Sequence, residues 1–195
     1  MKIVEILKDA AILLGLTQDV AAFDSITEDN EQVVLAENPN VLSLFNLSKL
    51  SIRELCTNYL PVSQSEKITT SDKEYAVSNL TNFIRVQNAF KNEEMVKFKM
   101  INRNLIFEED GEYEVVYLTY PNILSVFDEI DFLDHLSPDV VILGVCSYYS
   151  LAHGMFEDFE KMHDKYIQRA ESLKELKIFS LPSRRWEWKR KSLFK

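Results

Sequence analysis

Glycine is scarce in this chain, and much chemistry goes with it. Of 195 residues only four are glycine, at positions 15, 111, 144 and 154. None belongs to a GxGxxG or GxxxxGKS/T pattern, so the backbone cradles that common nucleotide-binding folds build around phosphate are absent. There is no GxSxG elbow, and neither cysteine sits in a nucleophile signature. Cys56 and Cys146 lack CxxC spacing, which excludes a disulfide scaffold and reads as buried thiols in a reducing compartment. No run of about 18 apolar residues exists, so no membrane-spanning helix is expected. The opening MKIVEILKDAAILLGL carries Glu5 and Asp9 and lacks a small-residue cleavage site. It reads as an amphipathic helix of the mature protein and not as a signal peptide.

What is present is ordinary in amount and uneven in placement. Hydrophobic content of 46% and charged content of 27% suit a folded globular chain with one sizeable core. Net charge is −9, yet the last twelve residues hold six basic side chains against the single acid Glu187. That segment is +5, which leaves −14 on the other 183 residues. A basic, aromatic segment on an acidic body suits a partner-binding arm, because it is drawn to acidic surfaces.

Hydrophobic spacing of three and four predicts a helix over residues 3–16, with Gly15 at its C-terminal cap. Residues 17–37 read as a short helix or structured loop. Asn38 and Pro39 predict a cap-then-proline start for a second long helix that Pro61 ends. The period then changes. Residues 80–88, 94–101, 104–108 and 112–120 are rich in β-branched and aromatic types and separated by polar turns, with a strand or loop over 66–77 leading in. After Pro121, Ser137 and Pro138 predict the start of a helix to Ala152, in which Gly144 allows a close helix neighbour. A further helix from Phe156 to about Lys177 follows the Gly154 break, giving an antiparallel hairpin. The expected fold is therefore mainly α. It is a four-helix-type body over 1–181, with a small antiparallel β-meander at about 66–120 inserted between the helical pairs. An extended arm follows over 182–195.

Few residues offer chemistry. His153, Glu157, Glu160 and His163 lie at helical spacings that suit zinc or iron, but di-iron bundles need two Glu-x-x-His units and here there is one. A surface ion pair is the plainer reading. Asp128, Glu129, Asp131 and Asp134 lack the glycine and ligand alternation of a calcium loop and read as a solvated face. Tyr148, Tyr149, Phe156 and Phe159 read as core. No catalytic residue, metal or cofactor is implied, and an enzyme is not expected. The arm differs: Arg184, Arg185, Trp186, Trp188 and Arg190 combine charge with the residue types that dominate protein–protein hot spots. Fully extended, it reaches about 45 Å. The same mixture suits nucleic acid, so a regulatory protein binding nucleic acid through the arm is the alternative.

The order of these features resembles the head-to-tail adaptors, or head completion proteins, of tailed bacteriophages. The elements that carry the resemblance are two N-terminal helices ending in Leu60-Pro61 and a β-rich middle closing at Val115-Val116-Tyr117 before Pro121. They continue with Cys146-Ser147-Tyr148-Tyr149-Ser150-Leu151-Ala152, the Gly154 break, Lys165-Tyr166 with Ala170 one turn on, and a proline before Arg184-Arg185-Trp186. The resemblance spans nearly the whole chain. It implies a structural virion protein of the neck, made in the bacterial host cytoplasm and assembled as a dodecameric ring beneath the portal protein. Neighbouring subunits, the portal and the next tail or stopper component would be its partners. Genomic DNA would pass without specific binding, and no membrane would be involved. Arg184, Arg185 and Trp186 would contact the portal. A body of −14 suits a channel that must not hold phosphates.

Overall fold

The first helix, α1 (Ile3–Leu13), forms because Ile3, Ile6, Leu7, Ala10 and Ala11 fall on one face and are all buried. In the computed structural model, which describes residues 2–130 and 137–180 with side chains as far as Leu173, α1 ends at a glycine. Gly15 adopts φ +72, its N–H donates to Ile12 O (3.0 Å), and Leu16 N–H donates to Ala11 O (2.8 Å). These bonds satisfy the carbonyls that the last turn leaves open. Gly154 ends a later helix the same way, with φ +72 and Met155 N–H donating to Ser150 O (2.8 Å).

Residues 17–37 contain two helices, α2 (Thr17–Ser25) and α3 (Glu31–Glu37), before α4 (Pro39–Asn58). Asn38 does not cap α4 with its side chain. Its amide donates instead to Val34 O (2.8 Å) and closes α3. Helix α5 (Asp139–Ala152) begins one residue later than its Ser137-Pro138 signal, without a side-chain cap. Pro138 O accepts from Ile142 N–H (3.1 Å), and Asp139 sits in the first turn, where a negative charge suits the helix end. Helix α6 (Phe156–Ser180) completes the hairpin.

Helix α5 is apolar nearly all round, as a buried helix must be, and α1, α4 and α6 all pack against it. Gly144 is where this packing is tightest. A methyl group there would lie 2.1 Å from Ser51 Oγ and 3.0 Å from the Tyr166 ring. The close approach expected of Gly144 is thus present, on two sides. In the same core Leu7, Leu44, Leu55 and Val141 are fully buried, each side chain contributing roughly 1.5–3 kcal/mol by its removal from water.

The expectation of a mainly α fold with a small β-meander is wrong. About 49% of the structure is helix and 24% is strand, so the fold is mixed α/β. Strands β1 (Val62–Thr69), β2 (Glu74–Ala76), β3 (Phe83–Lys91), β4 (Glu94–Val96), β5 (Lys99–Ile101), β6 (Asn104–Ile106) and β7 (Glu112–Thr119) form two antiparallel sheets. Their orders are β1-β7-β3-β4 and β2-β6-β5. The first and last strands pair with each other over eight positions, Val62↔Thr119 to Thr69↔Glu112, so the smaller sheet lies within a closed loop of chain. A meander would pair only neighbours in sequence; here β3–β4 and β5–β6 do so, but β1–β7, β2–β6 and β3–β7 do not. The reason is that it has its own core: Ile68, Leu105, Phe107, Tyr113, Val115 and Tyr117 pack together between the sheets, with the Phe107 and Tyr113 rings stacked at 4.0 Å. Residues 94–101 are two strands, because the chain leaves the larger sheet at Lys97 and Phe98 and enters the smaller one.

Candidate functional site

The arm residues Arg184, Arg185, Trp186, Trp188 and Arg190 lie outside the described residues. Asp131 and Asp134 of the acidic cluster do too. Asp128 serves the backbone: its Oδ2 accepts the N–H groups of Leu124 (2.7 Å) and Ser125 (3.0 Å), tying a turn.

The histidines are engaged separately. His153 ends α5, where its Nδ1–H donates to Tyr149 O (2.9 Å) and its ring stacks on Tyr149 at 3.9 Å. His163 lies on α6, with Nδ1 3.2 Å from Ser147 Oγ and its ring against Phe159. The His153 contacts lie within its own helix, and the His163 nitrogen faces across the hairpin to α5. Among the described residues, no group of three or more His, Cys, Asp or Glu side chains stands where it could hold a metal ion. Of the aromatic residues, Tyr149 is buried, Tyr148 and Phe159 are partly so, and Phe156 is exposed at 64%.

Two carboxylates that sequence reasoning passed over do much of the polar work. Glu54 projects from α4 into the seam with α5 and α6. Its Oε2 accepts the hydroxyls of Tyr148 and Tyr166, the latter at 2.8 Å. Both phenols are held well above their usual pKa, first by burial and then by the Glu54 hydrogen bond and charge. They are neutral donors, and the arrangement clamps three helices. Burial alone pushes the Cys146 thiol up to about 12, so it stays protonated, and its Sγ faces Ala10 O at 3.6 Å. The second carboxylate is Glu31 of α3, itself buried. It accepts Ser125 Oγ–H (2.7 Å) and Val126 N–H (2.8 Å), fixing the segment that leads from β7 toward α5. Ser48 and Ser51 in the apolar stripe of α4 were the available signal for the first clamp, since hydroxyls at core positions mark close helix contacts. Glu31 left no comparable signal, because its partners lie more than ninety residues away.

No protein-family model and no curated protein matches this chain.

Proposed function

We propose that this chain is a head-to-tail adaptor of a tailed bacteriophage. In this reading it is a structural virion protein that forms a ring beneath the portal, extends the DNA channel and joins capsid to tail. The observation that carries the proposal is the segregation of charge: +5 on residues 184–195 against −14 on the rest. An acidic wall lets DNA pass without holding its phosphates, while a basic arm bearing two tryptophans suits a protein partner. The mixed α/β body is compatible with this role, which depends on the arm and the charge and not on the helical fraction. Arg184, Arg185, Trp186, Trp188 and Arg190 would supply the portal contacts.

The test is reconstitution with portal-bearing heads that lack a neck. Added protein should sediment with the heads and slow leakage of packaged DNA. Failure to associate at any concentration up to saturation would overturn the proposal. The arm's composition also favours a nucleic-acid regulator, for which the outcome would be tight duplex binding and no uptake by heads.

A further inference from the structure

We infer that the tip of the α5–α6 hairpin of one copy seats against the β4–β5 corner of a second copy. The inference takes its partner from the ring reading above and supplies the two different surfaces a ring contact requires. At the corner, β4 is one edge strand of the larger sheet and β5 one edge strand of the smaller. Where Lys97 and Phe98 connect them lies a depression of about 480 Å³. Buried Phe107 and partly buried Val96 and Phe98 form its floor, and Met95, Lys97 and Lys99 its exposed rim, with Glu108 as the one acid lining it. Met95 is 58% exposed, a large apolar group with its face in water.

The hairpin tip offers an exposed apolar ring and opposite charge. The turn at Gly154 lifts Met155 and Phe156 outward, and Phe156 is 64% exposed. Glu157, Asp158 and Glu160 follow them at the start of α6, all exposed. An exposed aromatic ring beside acids fits an apolar depression rimmed by lysines. The arm is a poorer occupant, because its +5 charge meets Lys97 and Lys99. Two tips are poor partners for each other, because both are acidic. A tip-to-corner contact leaves one tip and one corner free on each pair, so it propagates until rotation closes it.

The experiment uses full-length protein, whose native thiols Cys56 and Cys146 are buried. Met95→Cys and Phe156→Cys variants are oxidised singly and as a mixture, in concentrated solution and on portal-bearing heads. The mixture should give a disulfide-linked dimer that neither variant gives alone. Lys97→Glu with Lys99→Glu should reduce its yield about tenfold, and Glu157→Lys with Asp158→Lys should restore it. No mixed disulfide in either setting overturns the inference, and so does a disulfide within one variant alone. A link from Met95→Cys to Trp186→Cys in its place assigns the depression to the arm and also overturns it. Uptake by heads without the mixed link sinks this inference alone. The link in free protein without uptake sinks the adaptor reading alone.

Discussion

At Gly144 the spacing of three helices is set by one missing methyl group. Gly144→Ala should cost about 1–3 kcal/mol, since the new Cβ would overlap Ser51 Oγ, and Ser51→Ala beside it should recover part of the loss. Chemical denaturation of the single and double variants measures both; equal stability of Gly144→Ala and the parent would refute the packing. The Glu54 clamp makes a different demand. Glu54→Leu leaves two phenolic donors without their acceptor, which should cost roughly 1–3 kcal/mol, more than Glu54→Gln, which keeps an acceptor. Ionisation adds a pH dependence. The Cys146 thiol rises from 9.0 to about 12, and the Tyr117 phenol from 10.0 to about 12, through burial and then its Glu66 hydrogen bond and charge. Tyr148 and Tyr166 shift the same way. The fold favours the neutral form of each, so this stability is complete below about pH 9 and falls toward pH 12, as the unfolded chain ionises first. Melting temperature should decline over that window, and Cys146→Ala should flatten its lower part. A profile as steep in that variant as in the parent would contradict the assignment.

The hairpin turns show how elements can be legible while their chemistry is not. Asp72-Lys73, Asn92-Glu93 and Asn102-Arg103 each place two successive residues at positive φ, the signature of two-residue turns that match strand twist. Asn and Asp tolerate the first position, but the second ordinarily takes glycine, which this chain withholds. Glu93→Gly and Arg103→Gly should therefore each stabilise the protein by about 0.5–1 kcal/mol, seen as a raised denaturation midpoint; a lower midpoint would mean that the side chain contributes more than the strain. The helices were readable because their apolar spacing is local, and α1, α4, α5 and α6 lie close to where that spacing places them. The strands from 83 to 119 were readable as strands for the same reason. Their pairing was not, because β1 meets β7 through contacts some fifty residues apart. Residues 62–65 escaped notice since Ser63, Gln64 and Ser65 are exposed and carry no apolar alternation. Short turns marked where the chain reverses but not which sheet the next strand joins. That choice belongs to the core formed by Phe107, Tyr113 and Tyr117.

On the scale of the molecule, two cores stand side by side, one helical and one between sheets, and the proposed function draws on what surrounds them. Body and arm differ in charge sign, so they should differ toward DNA. The full chain should bind duplex DNA weakly, with an affinity that falls steeply as salt rises, and a chain ending at Leu181 should not bind measurably. Nanomolar binding by the shortened chain at physiological salt, read by fluorescence anisotropy, would favour a regulator. The arm was legible in sequence as charge and tryptophan, the very features the adaptor reading rests on. Rigid aromatic anchors repeated around a ring would hold through avidity what a single arm holds weakly. The most direct measurement compares sedimentation of the full chain and a chain lacking residues 182–195 with purified portal-bearing heads. The adaptor account predicts that both have nearly the same melting temperature and only the full chain pellets with the heads. Equal pelleting of the shortened chain would contradict it.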